Sequence, residues 1–292
     1  MSSRRSAGWL GGALTLGAFG ALVWLERRRP LRRGREPKAA RAGRNLAVAG
    51  AGALALRLTE KPLADAMTAL VERRRWGLLK LAGLPGWLEV AAACVLLDYT
   101  LYLWHVLTHR APLLWRFHVV HHADLDLDAT TALRFHFGEL ALSAPWRAAQ
   151  ILLIGVSPRA LSAWQTLLML SVMFHHSNVR LPVGLERGLS LLLVTPRMHG
   201  IHHSVVRGET DSNWSSGLTL WDRLHGTLRL DAARDEVDVG VPAYRDPREL
   251  SFADLLPMPF APQRPTWSPR AEGAEPARAP RVPGGPGRAA RA

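Results

Sequence analysis

The 292-residue sequence contains a single cysteine, Cys94, which lies in the apolar run AAACVLL. One thiol cannot form an internal disulfide, a zinc ribbon or an iron–sulfur cluster, so these frameworks are excluded. We interpret Cys94 as a small buried apolar residue. The sequence also lacks the HExxH motif of zincin-type proteases and the paired Glu-x-x-His motifs of ferritin-like di-iron bundles.

Lysine is scarce as well, so the formal net charge of +13 comes mainly from arginine. We find no recognisable nucleic-acid-binding motif, and the positive charge is concentrated beside apolar segments and in a C-terminal tail. This placement favours attraction to anionic lipid headgroups and control of membrane topology, and we expect no nucleic-acid partner.

Long apolar runs predict an all-α, multi-pass transmembrane protein. The first run, 8–25, would span about 27 Å as a helix, close to the thickness of a bilayer's hydrocarbon core. It ends in ERRRPLRRGREPK, a stop-transfer pattern, so we favour a retained anchor over a cleaved signal peptide. Further candidate runs are 46–56, 77–104, 137–156 and 160–174.

The distribution of basic residues predicts the orientation of these runs. Nine basic residues lie between Arg27 and Arg44, but only two precede the first run, so the positive-inside rule places the loop at 27–44 in the cytoplasm. If three runs cross, residues 105–122 emerge on that side and the hairpin 137–174 returns to it. The ERRR loop at 59–75 would then lie outside, against the rule.

Composition divides the chain into three parts. Residues 1–76 are the predicted N-terminal membrane anchor region, 77–262 the histidine-box catalytic domain, and 263–292 a tail rich in proline and arginine. The tail's composition cannot bury a core, which predicts disorder.

Histidine is absent from the first 104 residues, yet eleven of the twelve lie between 105 and 203. HVLTH at 105–109 has an i, i+4 pair, and both HVVHH at 118–122 and HGIHH at 199–203 have offsets of 0, 3 and 4. Such residues share one helical face and can converge on a metal ion. These motifs supply eight imidazoles, and His176 makes nine, which is too many for one ion and suitable for two.

The candidate metal ligands are His105, His109, His118, His121, His122, His175, His176, His199, His202 and His203. His225 and His136 are also compatible with structural roles, and a histidine-rich tract can be merely solvated. An all-histidine site with few acids suits either a redox metal that activates dioxygen or two zinc ions that activate water. The spacing alone does not separate these two possibilities.

Several linked motifs between Asp98 and Thr227 resemble the fatty acid hydroxylase / sterol desaturase superfamily. In order they are LLDYTLYLWHVLTH, LWRFHVVHH, TTALRFHFGE, FHHSN, TPRMHGIHHS and LWDRLHGT. The sequence departs from the superfamily pattern at five positions: Val106, Phe137, Val172, Ser215 and His225. Val172 stands where some members carry a ligand histidine, and His175 is the first candidate to replace it.

The resemblance implies a helical membrane protein whose cytosol-facing site holds two Fe²⁺ ions. With dioxygen as co-substrate, it would hydroxylate or desaturate a C–H bond of a sterol, fatty acyl or related lipid. No catalytic side chain beyond the metal ligands is implied. The residues that could support and orient the ligand imidazoles from behind are Asp98, His136, Glu139 and Asp222.

Electrons would come from a separate reductase, ferredoxin or cytochrome, because we see no flavin fingerprint and no fused cytochrome-like segment. Two other functions remain open from the sequence. One is a di-zinc membrane hydrolase, and the other is a non-catalytic metal-binding membrane protein.

Overall fold

A computed structural model describes residues 2–231 and 237–266, with no side-chain description for 2–8. The predicted disordered tail, 263–292, lies outside these ranges except for its first four residues. Within them the chain is helical and contains only isolated β-bridges, which confirms the all-α prediction. The α-helices are α1 Ser2–Arg28, α2 Lys38–Leu58, α3 Glu60–Arg74, α4 Leu78–Ala82, α5 Gly86–Arg110, α6 Pro112–His122, α7 Phe137–Ile154, α8 Pro158–His176, α9 Val183–Leu189, α10 Pro196–His202, α11 Arg207–Thr210, α12 Leu220–Leu224 and α13 Phe252–Leu255.

Two helical segments of the described chain are long and apolar enough to cross a membrane: Trp9–Arg28 in α1 and Gly86–Arg110 in α5. The predicted run 77–104 is divided between α4 and α5 by a break at 83–85. The runs 46–56, 137–156 and 160–174 are helical, in α2, α7 and α8, but these helices are not among the candidate spans.

The predicted hairpin of α7 and α8 turns sharply at residues 155–157. Gly155 has φ of +83° and lies against Gly77, so a Cβ on Gly77 would overlap the backbone of Gly155, and a Cβ on Gly155 would lie 2.9 Å from the Trp76 carbonyl oxygen. Ser157 then starts α8, because its side chain accepts a hydrogen bond from the Ala160 amide and Pro158 occupies the first turn. This turn brings the end of α8, with its two histidines, back toward the end of α5.

Two apolar cores flank the histidine-bearing elements. One joins α3, α4, α5, α7 and α8 around Leu97 and Ile151, both fully buried. The other packs Val119 and Val120 of α6 against Leu250 and Leu255 of the C-terminal segment. Because α6 is anchored on its apolar face by this second core, its opposite face, which carries the histidines, is held toward α5, α8 and α10.

Candidate metal centre

Nine buried or partly buried histidines come together from four helices: the end of α5, α6, the end of α8, and α10 with the residue that follows it. They form two groups, and within each group the potential ligand atoms all lie within 4.8 Å of one another. The five-histidine group is His105, His109, His118, His122 and His202. The four-histidine group is His121, His176, His199 and His203.

Each HxxHH motif contributes histidines to both groups, but the two motifs divide their histidines between the groups in opposite ways. In α6 the i, i+4 pair His118 and His122 joins the five-histidine group, and His121 joins the other. In α10 the pair of His199 and His203 joins the four-histidine group, and His202 joins the five-histidine group. Helical geometry explains the split, since position i+4 lies about 40° to one side of i and position i+3 about 60° to the other.

Nitrogen spacing in the four-histidine group suits ligands of a single ion. The Nε2 atom of His176 lies 3.1 Å from His121 Nε2 and 3.0 Å from His199 Nε2. Two nitrogens each about 2.1 Å from one ion, at roughly a right angle, would lie about 3 Å apart. The three ε nitrogens therefore have the separation that shared coordination requires.

Outer nitrogens of several histidines are held by the protein, which leaves their inner nitrogens without a partner. His105 Nδ1 lies 2.7 Å from the Trp214 carbonyl oxygen, and His202 Nδ1 lies 2.8 Å from that of Ser212. His118 Nδ1 is 2.8 Å from Glu139 Oε1. The Nε2 atoms of His118, His202 and His203 are buried with no hydrogen-bond partner.

Buried polar atoms without partners are rare in folded proteins and call for an explanation. Here several of them face one another from different helices, and a metal ion would satisfy them together. The outer hydrogen bonds are also the kind that fix the ring orientation of a metal-binding histidine. The residues present therefore fit a pair of metal ions.

Burial keeps these imidazoles in the form that binds metal. Desolvation, reinforced by neighbouring histidines, lowers the pKa of His121, His122, His199 and His203 well below the ordinary value. Burial lowers the pKa of His202 to about 3. At neutral pH these rings are neutral, with a free nitrogen lone pair to donate to a metal.

Of the three acids considered for a supporting role, Glu139 is the one that contacts a candidate ligand within the described residues. Asp98 instead accepts hydrogen bonds from the Leu218 amide and from Trp221 Nε1, which ties α5 to the 218–221 turn. The Asp98 carboxylate is therefore engaged by this turn, and no bond between it and an imidazole is present among the described residues.

Asp222 acts one step away from the histidines. Its carboxylate accepts hydrogen bonds from the backbone amides of Trp214 and Ser215, each at 3.0 Å. The carbonyl of the same Trp214 is the partner of His105. Asp222 thus positions the peptide that holds His105, rather than the ring itself.

His136 is committed to the fold through both ring nitrogens. Nδ1 accepts a hydrogen bond from the Gly138 amide and caps α7, and Nε2 lies 3.0 Å from the Leu256 carbonyl oxygen. It also packs against Phe117 of α6, with ring centroids 5.4 Å apart, so it supports α6 next to His118 as well as α7, which carries Glu139.

Two further histidines stand apart from both groups. His175 is buried next to them, with its ring centroid 4.0 Å from that of His199, but it belongs to neither group. Val172, one turn before His176, contributes only its backbone carbonyl, whose oxygen lies 2.7 Å from His176 Nδ1. His225 is exposed and stacks on Tyr102 with centroids 5.0 Å apart, as an aromatic residue at that position would.

Sequence reasoning missed three supporting contacts. The carbonyls of Trp214 and Ser212 hold His105 and His202, and a backbone carbonyl leaves no signal in a sequence. Fully buried Arg134 donates from Nε to the Val120 carbonyl, inside the HVVHH motif. The recurrence of arginine near the histidine motifs was visible, but its partners were not.

A fourth missed contact, besides those three, explains the glycine of HGIHH. The guanidinium of Arg32 packs against Gly200 and donates from Nη2 to the Pro196 carbonyl at 3.0 Å. A Cβ at residue 200 would overlap that guanidinium. The basic segment after α1 is thereby fastened to the histidine-bearing helix α10.

Comparison with known proteins bears directly on this site. The family model described as fatty acid hydroxylase matches residues 90–227, the part of the chain that contains all nine grouped histidines. Residues 90–227, just under half of the chain, are thus similar to fatty acid hydroxylases. This confirms the resemblance seen in the motifs. No solved structure matches the chain.

The chain is similar to several lipid-modifying enzymes. It is 30% identical over 154 residues to the ornithine lipid hydroxylase OlsE of Rhizobium tropici, an alignment covering 52% of this chain and 45% of that protein. It is 34% identical over 163 residues to a cholesterol 25-hydroxylase-like protein of Danio rerio, covering 52% and 61%. Human alkylglycerol monooxygenase is 28% identical over 144 residues, covering 49% and 31%. The chain thus matches about half or less of most of these relatives' length.

Proposed function

We propose that this protein is a membrane-bound di-iron oxidoreductase that uses dioxygen to hydroxylate a C–H bond of a lipid. The observation that carries the proposal is the pair of adjacent histidine groups inside the region similar to fatty acid hydroxylases. Relatives named as hydroxylases and a monooxygenase favour hydroxylation over desaturation, which would begin with the same hydrogen abstraction.

The five-histidine and four-histidine groups would each hold one iron ion, and the two ions would supply activation of dioxygen and exchange of electrons. The protein's own contribution is to orient the ligand histidines and to exclude water from the site. Glu139 fixes the ring of His118, and the Trp214 and Ser212 carbonyls fix His105 and His202. Burial of the histidines excludes bulk water from the reacting bond.

A lipid substrate is supported by the apolar surface of the helices near the site. Trp9 and Leu16 on α1 are more than 70% exposed, as is Trp87 at the start of α5. Such large exposed apolar side chains suit contact with acyl chains rather than with water. Because α5 also carries His105 and His109 at its other end, a lipid chain lying along this helix would extend toward the histidines.

A cytoplasmic orientation of the site is supported by the way the basic segment packs. Arg32 donates to the Pro196 carbonyl at the start of α10, and the Leu31 amide donates to the Asn178 carbonyl just after α8. The segment at 27–44 is the part of the chain that the positive-inside rule assigns to the cytoplasm. The histidine groups, supported by α8 and α10, therefore belong on the same side in this proposal.

An external electron donor completes the proposed reaction. Insertion of one oxygen atom from dioxygen into a C–H bond consumes two electrons and two protons and releases water. The chain has a single cysteine and no flavin fingerprint, so we propose that a separate reductase, ferredoxin or cytochrome delivers the electrons.

The test begins with the full chain purified in a mild detergent. We expect about two iron ions per chain, and dioxygen consumption that requires both a reductant and lipid. Lipidomics of cells with and without the protein should then reveal a lipid that gains one oxygen atom. His121→Ala and His202→Ala should each abolish that product, and His225→Phe should retain it.

The same measurements separate the competing functions. Two zinc ions with hydrolysis that is independent of dioxygen would support a membrane hydrolase instead. Metal binding with no change in any lipid, in cells that also supply a reductant, would support a metal-storage or metal-sensing protein.

A further inference from the structure

A cavity of about 510 Å³ opens beside the last turn of α1. Its walls come from the end of that helix and from the segments 30–38, 126–128 and 178–180. None of the described residues that line it is a histidine, so it is separate from the two metal-binding groups. Arg32 lines it and also contacts α10, so the cavity and the histidine groups share a wall.

The cavity carries an excess of positive charge. Six arginine or lysine side chains and four carboxylates line it, which leaves two positive charges uncompensated. An excess of this sign inside a concave surface attracts anions more strongly than the same charges on a flat face.

The carboxylates that line the cavity are already used by the protein. Glu26 accepts a hydrogen bond from the Ala129 amide at 2.8 Å and pairs with Lys38 at 2.9 Å. Asp126 accepts from the backbone amides of Arg35 and Glu36. Their lone pairs are therefore engaged in holding the walls together.

The other two carboxylates are engaged in the same way. Glu36 forms a two-pronged ion pair with Arg44, at 2.9 and 2.7 Å. Asp128 accepts from Thr130 and pairs with buried Arg41. Because all four carboxylates already bind protein donors, they compete little with an incoming anion for the remaining arginines.

Arg27 and Arg33 differ from the other cations of the cavity. Both are exposed, and neither has an ion-pair or hydrogen-bond partner within the described chain. A guanidinium presents a planar fork of N–H donors that matches the oxygens of a phosphate. Two such groups at one cavity form a ready acceptor for a phosphate ester.

The depth of the cavity identifies the source of the phosphate. The candidate span in α1 ends at Arg28, and the cavity begins in the same turn, at Glu26 and Arg27. The headgroup layer of a bilayer begins where the hydrocarbon core ends. A cavity at this level would face lipid phosphates.

We propose that this cavity binds the phosphate of an anionic phospholipid, with Arg27 and Arg33 as its principal donors. The bound headgroup would hold the segment 30–36 against α10, because Arg32 joins that segment to Pro196 and Gly200. The inference rests on the membrane placement proposed above, but not on the metal or on the reaction.

Titration of the purified full chain in an uncharged detergent tests this inference. The apparent Kd for phosphatidylglycerol is measured by native mass spectrometry, with phosphatidylcholine and soluble glycerol 3-phosphate as comparison ligands. The test variant is Arg27→Ala/Arg33→Ala. The matched control, Arg73→Ala/Arg74→Ala, removes two exposed arginines from the end of α3.

We expect wild type and control to prefer phosphatidylglycerol over phosphatidylcholine, and the test variant to bind it roughly 10- to 30-fold more weakly. The melting temperature should be unchanged in both variants, which shows that they are folded and keeps this result independent of the proposed metal and oxidation.

Three results would overturn the inference. Unchanged phosphatidylglycerol binding by the test variant would remove Arg27 and Arg33 as donors. Equal weakening in both double variants would show only general charge attraction. Glycerol 3-phosphate binding as tightly as the lipid, with the same loss in the test variant, would reassign the cavity to a free phosphate compound.

Discussion

His122 and His203, the last residues of the two HxxHH motifs, stack face to face with ring centroids 4.3 Å apart and planes 14° apart. Despite this contact, His122 belongs to the five-histidine group and His203 to the four-histidine group. The two rings therefore lie at the boundary between the proposed metal positions. Their contact joins the two groups into one compact centre, although the two motifs lie in distant parts of the chain.

Exchange of these two residues should affect different metal ions. We expect His122→Ala to weaken binding at the five-histidine group and His203→Ala at the four-histidine group, so each variant should retain about one ion under mild chelation. Metal content is measured after dialysis against chelators of increasing strength. Equal loss of both ions in both variants would contradict the division into two groups, and His225→Phe serves as the control.

Glu139 should control the affinity of the five-histidine group through His118. Its carboxylate lies 2.8 Å from the outer nitrogen of that ring. We expect Glu139→Leu to lower metal affinity about 10- to 100-fold, and Glu139→Gln, which keeps an acceptor but removes the charge, to lower it less. Metal competition assays measure both. A loss that is as large in the exposed Glu72→Gln control would argue against a specific role.

Val172 offers a way to strengthen the four-histidine group. It lies one turn before His176 on α8, so an imidazole there would share the face of that ligand candidate. We expect Val172→His to slow release of the ion held by this group, as followed by the rate of metal transfer to a chromophoric chelator. Val172→Leu supplies similar bulk without a nitrogen, and equal retention in the two variants would exclude coordination by residue 172.

Arg134 should be essential for stability, whereas Arg116 should not. The Arg134 side chain is fully buried and bonds to the Val120 carbonyl and to Asn45, while Arg116 is only partly buried and bonds to the carbonyls of Pro259 and Ala261. Removing this donor leaves two buried acceptors, the Val120 carbonyl and Asn45 Oδ1, without it, at about 1–3 kcal/mol each and so about 2–6 kcal/mol together.

For a protein of this size that cost corresponds to a fall in melting temperature of roughly 4–24 °C for Arg134→Met. Thermal unfolding of the detergent-solubilised chain measures it. Arg116→Met is the matched control, since both arginines precede a histidine by two residues. Similar melting temperatures for the two variants would show that the contact with Val120 contributes little.

Several features of the centre follow from the sequence without a structure. The offsets of 0, 3 and 4 in HVVHH and HGIHH place three imidazoles on one side of a helical turn, whatever surrounds it. The helical fold was also evident, and nine of the ten candidate ligands are the grouped histidines, while the tenth, His175, belongs to neither group. The caps of α8 and α10 could be anticipated too, because Ser157 with Pro158 and Thr195 with Pro196 are common helix starts.

The tertiary structure alone decided how the nine imidazoles divide. Periodicity fixes the direction of each ring relative to its own helix axis, but the distance between helices depends on how their apolar faces pack. Likewise, the sequence marked Asp98, Glu139 and Asp222 equally, and only the fold shows Glu139 against His118 while the other two hold turns. Ring orientation by the carbonyls of Trp214 and Ser212, and the hydrogen bond from Arg32 to the Pro196 carbonyl, depend on backbone acceptors that every residue type carries, so no sequence pattern could have specified them.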